Sequence, residues 1–376
     1  MKVETVSHWK DGGWSGPFPD LDSARTLVVM FGATSYLDDP AAVAACSAAY
    51  PRSTVIGCST SGEIHGAELE DESLAVAVVR FEHTDLRSAM APVTSTSSRS
   101  AGEELGRALV GDGLRGILVL SEGIAVNGSA LTDGIRSVLP PDVIVTGGLA
   151  GDGDRFERTW VVHEGAPASG YASAVGFYGP RVQIGFGSKG GWDLFGPERV
   201  VTKSRENVLY ELDGKPALAL YKSYLGHRAA ELPASGLLFP LALRENEQSG
   251  HQIVRTILGV SDSEESLTFA GDVPEGWLAQ LMMANFDRLV DGAHGAAGMT
   301  RERTGAGPVL SIAISCVGRR LVLGPRTEEE IEAVIEALPP GARQVGFYSY
   351  GEISPVGALG CGLHNQTMTL TTLAED

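Results

Sequence analysis

A nine-residue pattern that occurs twice limits the fold of this chain more than any other sequence feature. Residues 56–64 read IGCSTSGEI and residues 345–353 read VGFYSYGEI. Both copies run through an apolar residue, Gly, two variable residues, Ser or Thr, one variable residue, Gly, Glu and Ile. Glu63 in the first copy is therefore equivalent to Glu352 in the second.

The surroundings of both copies repeat as well, so chance recurrence of a short motif is a poor explanation. An apolar run at 26–31 and a helix predicted over 40–50 precede the first copy. An apolar run at 309–315 and a helix predicted over about 328–338 precede the second. Each copy thus closes a strand–helix–strand unit with polar residues at the carboxyl end of a strand, where ligands bind in open α/β sheets. We interpret the copies as an ancient duplication or as two lobes of one site.

Strands and helices alternate up to about residue 148, and short strands with Gly and Pro turns follow Asp154. This predicts an α/β fold, mixed α+β in places, with two domains, partly parallel sheets and antiparallel meanders. Apolar spacing over 277–290 predicts an amphipathic helix. The predicted divisions are an N-terminal arm that docks loosely at 1–25, a first domain at 26–205 and a second domain at 206–376.

The composition argues against several classes of partner. The net charge of −18, with no Lys/Arg cluster, disfavours nucleic acid and anionic membranes. No apolar run reaches 18 residues and the N-terminus has no signal-peptide core, so we expect a cytoplasmic protein without membrane insertion. The four Cys residues form no C-x-x-C motif, and we expect buried, inert thiols, although Cys58 and Cys316 adjoin strand ends. An oligomer is possible.

Six segments, in this order, resemble the FIST family (F-box and intracellular signal transduction) and together span nearly the whole chain. Each segment alone would be weak, and their joint occurrence makes the resemblance specific. The segments are GCSTSGEI (57–64), TGGLAGDGDRF (146–156), LYELDGKPALALY (209–221), SCVGRR (315–320), GFYSYGEISP (346–355) and LHNQTMTL (363–370).

The resemblance implies a sensory domain that binds small ligands, amino acids among them. FIST domains often belong to multidomain signalling proteins. No kinase, receiver, cyclase or F-box segment is apparent beside the two FIST parts. We therefore expect a standalone copy, whose downstream signalling partner is unknown.

Candidate ligand-binding residues are the polar groups and glycines near the predicted strand ends, with two arginines. They are Ser59, Thr60, Gly62, Glu63, Gly147, Gly148, Asp152, Arg255, Cys316, Arg319, Ser349, Tyr350, Gly351, Glu352, His364 and Asn365. The two Glu residues suit a cationic group such as an α-ammonium, and the pattern's second glycines let backbone N–H groups approach an anion. The two arginines could bind a carboxylate bidentately. An amino acid would then lie between the two Gly-Glu-Ile loops and the Gly-rich loop at 147–153.

A structural interpretation stands beside this one. Glu63 and Glu352 could accept bonds from neighbouring backbone N–H groups and brace tight turns. The loop at 147–153 could be only a crossing between layers, and His364 could bind a backbone carbonyl.

Two further functions are minority alternatives. A hydrolase would use Ser349 and Glu352, but Gly346 lies one position too early for a G-x-S-x-G elbow and no His is placed as a base. Some FIST-like proteins are described as haem-binding nitric-oxide sensors, yet no single His is marked as an axial ligand. We therefore predict no catalytic residue, no metal site and no cofactor.

Overall fold

Three sheets of this protein share one plan, and a fourth sheet is inserted into the third. The computed structural model describes residues 1–249, 252–305, 307–355 and 361–376. Each of the three related units contains an edge strand, a central strand, a helix, a parallel strand, a short hairpin and an antiparallel return strand. The structure confirms the predicted mixed α/β class, with parallel and antiparallel pairs in the same sheets.

Repeat one covers residues 2–80. Its central strand, TLVVMFG, is buried along its whole length, as expected where both faces of a sheet are covered. The helix predicted over 40–50 is observed. The elements are β1 (Lys2–Trp9), β2 (Gly13–Trp14), β3 (Thr26–Gly32), α1 (Ala41–Ala49), β4 (Thr54–Ser59), β5 (Glu63–His65), β6 (Glu68–Glu70) and β7 (Ser73–Arg80).

Repeat two covers residues 85–178 and has a second helix before its central strand. The Asn127 side chain begins the later helix by accepting a bond from Ala130 N at 3.0 Å. The elements are β8 (Asp85–Pro92), α2 (Ser98–Leu109), β9 (Leu114–Ser121), α3 (Gly128–Val138), β10 (Ile144–Leu149), β11 (Val161–His163), β12 (Ala166–Ala168) and β13 (Tyr171–Tyr178).

Repeat three begins with β14 (Val182–Lys189) and is then interrupted by an eight-stranded sheet, which we call the inserted sheet. In this insertion Asp213 and Gly214 both have positive φ, in the turn before β17, and helix α4 ends with Gly226 as its C-cap. Its elements are β15 (Asp193–Arg205), β16 (Val208–Leu212), β17 (Lys215–Pro216), α4 (Ala217–Leu225), β18 (Leu241–Arg244), β19 (Ile253–Arg255), β20 (Ile257–Ser261), β21 (Ser266–Phe269) and β22 (Leu278–Met283).

The remainder of repeat three follows the insertion. The helix predicted over about 328–338 is observed one residue earlier. The elements are α5 (Phe286–Thr300), β23 (Leu310–Cys316), α6 (Val317–Leu323), α7 (Thr327–Ala337), β24 (Arg343–Ser349), β25 (Gly351–Pro355), β26 (Cys361–His364) and β27 (Met368–Glu375).

The hairpin after each parallel strand leaves its own sheet and extends the sheet of another repeat. β5 pairs with β24, β25 pairs with β10, and β11 pairs with β4. This cyclic exchange gives all three sheets one strand order: foreign hairpin, parallel strand, central strand, return strand and edge strand. The exchange relates the three repeats by a pseudo-threefold axis. Because of this exchange, strands from before and after residue 205 belong to the same sheets. The domain boundary near residue 205 stays a prediction.

The main core lies between the three sheets, around this axis. The central strands of all three repeats contribute to it, with Val29, Leu118 and Ile312 fully or almost fully buried. Phe31 and Phe347 stack with ring centroids 4.7 Å apart, across repeats one and three. The core around the axis is therefore formed largely by packed apolar side chains.

Two predictions of local structure are wrong. Residues 2–9 are not part of a loosely docked arm, because β1 pairs with β7 over eight residues. Residues 277–290 are not one helix: β22 occupies 278–283 and pairs with β15 and β18, while α5 begins only at Phe286. Asn285 marks the true helix start, since its side chain accepts a bond from Arg288 N at 3.3 Å.

Candidate functional site

The loops after the three parallel strands meet at the axis in a ring of backbone hydrogen bonds. Each bond joins a residue of one loop to the end of the parallel strand of the next repeat. The three bonds run from Ser61 N to Tyr348 O (2.8 Å), from Gly151 N to Ser59 O (3.0 Å) and from Tyr350 N to Leu149 O (3.3 Å). The two Gly-Glu-Ile loops and the Gly-rich loop are therefore three equivalent parts of one assembly.

An equivalent glycine precedes each loop and lets two strands approach closely. Gly57, Gly147 and Gly346 face the central strand of their own repeat in the same register. At each position a Cβ atom would lie closer than 3.0 Å to the main-chain oxygen of the facing residue. The first Gly of the repeated pattern is thus required by backbone packing, whatever the loops bind.

Glu63 is buried and fully engaged within repeat one. Its Oε2 accepts bonds from Ser73 N at 2.9 Å and Ser73 Oγ at 3.0 Å, and Thr60 Oγ1 donates to its Oε1. Only 1% of the residue is exposed. The carboxyl group therefore links the first turn of the loop to the start of β7.

Glu352 repeats these contacts in repeat three. Ser349 Oγ donates to its Oε1 at 2.7 Å, and Thr367 donates to its Oε2 from N at 3.2 Å and from Oγ1 at 2.9 Å. Thr367 directly precedes the return strand β27, at the position equivalent to Ser73 in repeat one. These are the contacts that the structural interpretation of the two Glu residues predicts.

Burial raises the pKa of both carboxyl groups to about 8, against an ordinary value of 4.5, although their hydrogen bonds oppose the shift. The folded protein then holds protons that the unfolded chain has released above pH 4.5. The free energy of unfolding should therefore fall as pH rises from about 4.5 to about 8, by about 1.4 kcal/mol per pH unit for each group. Urea denaturation of the wild type, Glu63→Gln and Glu352→Gln across this range measures the slope.

Each Gln variant keeps a neutral hydrogen-bonding group of the same shape, so it should remove its own share of the pH dependence. In the double variant, Glu63→Gln combined with Glu352→Gln, the free energy of unfolding should depend on pH less than in the wild type or either single variant. Parallel stability curves for all four would show that the two carboxyl groups ionise normally despite their burial.

A cavity of about 580 Å³ opens beside the first Gly-Glu-Ile loop, and we call it the loop cavity. All three repeats contribute to its walls. Its polar lining includes Thr60, Ser61, Gly62, Glu63, Asp71, Glu72, Asp154, Arg155 and Arg320. Three of the sixteen predicted ligand-binding residues, Thr60, Gly62 and Glu63, thus lie on one cavity wall.

Arg320 crosses from repeat three to fix the first loop. Its Nη1 and Nη2 donate to the two carboxylate oxygens of Asp71 at 2.9 and 2.6 Å, and Nη1 also bonds Ser61 O. A bidentate pair of this kind fixes the plane of the guanidinium group. The cavity wall is therefore held in place from two repeats.

Asp152 is a buried hydrogen-bond acceptor in the Gly-rich loop. It is 1% exposed, and its Oδ1 accepts bonds from Nε and Nη2 of Arg155 at 2.8 and 2.6 Å. Burial opposes its ionisation, but the bonds from Arg155 and from Glu157 N and Arg158 N hold its pKa below the ordinary value. Asp152 thus positions Arg155, which itself lines the loop cavity.

The other predicted site residues lie within the protein packing. Ser59 Oγ accepts a bond from Trp160 N at 3.0 Å. Gly148 packs against Ile314 and Phe347. Gly147 and Gly351 lie within sheet pairs, and Ser349 is fully buried against Glu352. Burial raises the pKa of the Cys316 thiol, and all four cysteines are buried, as expected.

The two arginines proposed as carboxylate ligands bind protein groups instead. Arg319 is fully buried and donates to Glu330 Oε2 from Nε at 3.0 Å and from Nη2 at 2.6 Å. Arg255 donates to the carbonyls of Asp272 and Leu363, and burial lowers its pKa to about 10. Neither lines the loop cavity.

His364 and Asn365 lie near the end of β26, away from the loop cavity. His364 Nε2 is 3.3 Å from Ser354 O. Asn365 is 1% exposed, and neither of its amide atoms has a hydrogen-bond partner among the residues that the structure describes. Tyr350 lies elsewhere, with its OH donating to Gly153 O at 3.2 Å.

Sequence reasoning missed six polar residues of the loop cavity: Ser61, Asp71, Glu72, Asp154, Arg155 and Arg320. Ser61 occupies a variable position of the pattern. Both arginines lie inside segments that carry the family resemblance, DGDRF and SCVGRR. The sequence analysis assigned ligand binding to other residues of these segments, among them Asp152 and Arg319. No described group of three or more His, Cys, Asp or Glu side chains is arranged to hold a metal ion.

Two family models together match most of the chain. The FIST N domain matches residues 26–215 and the FIST C domain matches residues 217–355. The chain belongs to the FIST family. FIST domains are sensory domains that bind small ligands in signal transduction. In this FIST protein the loop cavity is formed by residues of both matched regions, with Glu63 and Arg155 from the first and Arg320 from the second.

Other comparisons add little to the family assignment. No curated protein matches this FIST chain. A solved structure, the cyanuric acid hydrolase of A. caulinodans, aligns over 93% of this chain and 89% of its own, with 9% identity and a TM-score of 0.34. A TM-score this low carries no argument about fold or activity. No described helix is long and apolar enough to cross a membrane.

Proposed function

We propose that this FIST protein binds an amino acid or a related zwitterionic metabolite in the loop cavity and acts as a sensor without catalysis. The observation that carries the proposal is the mixed charge of the cavity wall. Asp71, Glu72 and Asp154 supply carboxylates, while Arg155 and Arg320 supply guanidinium groups. The volume of about 580 Å³ is within the usual range for small-molecule sites.

The acidic side of the cavity suits an ammonium group. Asp154 forms no ion pair with any residue in the described ranges, and Glu72 faces Lys10 at 3.6 Å. Burial raises the pKa of Glu63 to about 8, which favours the neutral form of this carboxyl group. The ammonium is therefore attracted by the two exposed carboxylates of the rim, and the buried Glu shapes the floor.

The basic side suits a carboxylate. Arg155 uses Nε and Nη2 on Asp152, and its Nη1 donates to no described residue. Arg320 is held by Asp71 beside Gly62. These two arginines take the role that sequence analysis assigned to Arg255 and Arg319.

Arg155→Gln is expected to weaken amino-acid binding at least tenfold, because a hydrogen bond from a charged donor contributes about 1.5–3 kcal/mol. The matched control is Arg158→Gln, three residues away, whose guanidinium binds Asp38 outside the cavity. Isothermal titration of the twenty amino acids identifies the ligand with the wild type and then measures both variants.

The control should bind as the wild type does. Equal affinities for Arg155→Gln and the wild type, or an equal loss in both variants, would contradict carboxylate binding at Arg155. If no amino acid binds the wild type, the proposed ligand class is wrong.

The two alternative functions gain no support from this geometry. A haem site needs an axial ligand, and the walls of the loop cavity contain no His or Cys within the described part of the chain. A hydrolase needs an accessible nucleophile, and Ser349 is fully buried with its hydroxyl on Glu352. The cytoplasmic location, the signalling partner and the oligomeric state stay predictions.

A further inference from the structure

A second cavity, of about 350 Å³, lies between the three-repeat body and the inserted sheet, and we call it the interface cavity. Its walls come from both sides, and they are mostly apolar. The apolar lining includes Ile124, Leu149, Phe156 and Tyr350 from the body and Leu258 and Phe269 from the inserted sheet. This cavity is therefore formed only where the two parts of the protein face one another.

Its chemistry differs from that of the loop cavity. Glu206, an exposed residue, is the one carboxylate among its described lining residues, which include no Lys, Arg or His. A charged ligand would lose its hydration here without gaining an opposite charge, apart from a cation near Glu206 at the rim. The lining therefore favours an uncharged molecule.

The walls of the interface cavity also favour a flat ligand. The rings of Phe156 and Tyr350 stack with centroids 4.4 Å apart and planes inclined by 15°. Ile124 and Leu258, which are 38% and 40% exposed, line the cavity from opposite sides. Large apolar side chains that remain exposed around a concave surface mark ligand sites.

The side chain of Asn207 indicates which polar group the ligand should carry. Asn207 lines the cavity, and its Nδ2 donates to Phe269 O at 2.8 Å. Its Oδ1 accepts no hydrogen bond from any residue within the described ranges. Asn127, on the opposite wall, uses Nδ2 on Asp272 and Oδ1 on Ala130 N. The cavity thus offers an acceptor to a ligand that carries a ring N–H.

We propose that the interface cavity is a second binding site, separate from the loop cavity, for an uncharged planar aromatic molecule of one or two rings with an N–H donor. Such a molecule touches the body and the inserted sheet at once. The bond between Asn127 Nδ2 and Asp272 Oδ1, 3.1 Å long, crosses the same interface. Occupancy therefore strengthens the contact between the two parts of the sensor.

Isothermal titration of the full chain with indole tests the site, with benzofuran as a matched probe whose ring oxygen replaces the N–H. Indole should bind the wild type saturably at one site, and benzofuran about tenfold more weakly. Ala270→Phe should abolish binding of indole, because it places a ring among the lining residues while keeping the bond from its backbone N to Thr256 O. Circular dichroism checks that this variant is folded.

Two exposed leucines provide a comparison that does not depend on core packing. Leu258→Ser should weaken indole about fivefold, through loss of roughly 1 kcal/mol of apolar contact. Leu321→Ser removes a leucine of similar exposure from the loop cavity and should leave indole binding unchanged.

The proposal is overturned if the wild type shows no saturable binding of indole, if folded Ala270→Phe still binds it, or if both leucine variants weaken it equally. Equal affinities for indole and benzofuran would overturn the N–H preference. These results are independent of amino-acid binding in the loop cavity, so the two sites are tested separately.

Discussion

Gly147→Ala is expected to lower the free energy of unfolding by more than about 4 kcal/mol, at the upper end of single-substitution effects. The added Cβ would lie closer than 3.0 Å to O, C and N of Val119, all backbone atoms of the facing strand. Gly147 also has φ +143°, a conformation that an L-residue rarely adopts. Strand β10 cannot move away, because its opposite edge pairs with β25. Urea denaturation, or the soluble fraction after expression if the variant does not fold, measures the effect.

Gly170→Asn is the matched control. Gly170 has φ +80° with open space around its Cα, and the equivalent residues of the other repeats are Glu72 at φ +56° and Gln366 at φ +62°. Because non-glycine residues occupy this turn in two repeats, the substitution should cost less than about 1 kcal/mol. A small effect of Gly147→Ala, similar to this control, would show that the parallel pair of repeat two is looser than the structure indicates.

Arg319→Leu should lower the free energy of unfolding by about 3–5 kcal/mol. Both members of the Arg319–Glu330 pair are fully buried, and Arg319 also donates to the carbonyls of Gly190 and Leu289. Removing the guanidinium leaves a buried carboxylate whose remaining donors are Ser315 and Tyr348. Chemical denaturation at neutral pH measures the loss.

Two further variants separate the buried charge from simple loss of packing. Arg319→Leu combined with Glu330→Leu should recover part of the stability, since no unpaired charge is then left inside. Arg326→Gln, which removes the solvent-exposed ion pairs with Glu329 and Asp287, should change stability far less than Arg319→Leu does. A cost for Arg319→Leu no greater than that of Arg326→Gln would contradict the assigned role of the buried pair.

This network explains why Arg319 is unsuited to bind a ligand carboxylate. It joins α6 to α7 through Glu330, and to the start of the insertion through Gly190 O. Arg320, the next residue, points the other way and reaches Asp71 and Ser61 in repeat one. Adjacent arginines of one segment thus serve different purposes, the first in the interior and the second at the loop cavity.

Local patterns were sufficient to predict many of the elements. The apolar run at 26–31 correctly located β3, and the helices predicted over 40–50 and about 328–338 correspond to α1 and α7. The equivalence of Glu63 and Glu352 is confirmed down to the hydroxyl that each one binds. Such signals are readable because they depend on residues a few positions apart.

Repeat two escaped detection as a third copy. Its loop keeps the glycine that the close strand approach requires, Gly147, but has Gly153 where the other copies have Glu63 and Glu352. The glycine that the close approach of two strands requires is therefore present in all three repeats, whereas the Glu that stabilises the turn is present in only two of them. A search for strand, helix, strand and glycine, without the Glu, would have found it.

By itself the sequence determined the strand–helix–strand units, the equivalence of the two Gly-Glu-Ile loops and the burial of the cysteines, because each follows from short-range periodicity and residue type. Only the tertiary structure decided which sheet each hairpin joins, because edge-to-edge pairing leaves no mark in the spacing of side chains. That exchange places Arg155 and Arg320 beside Glu63, and it leaves Glu352 buried without a place on the loop cavity. The candidate site therefore depends on contacts between residues more than 90 positions apart, whose meeting no local pattern encodes.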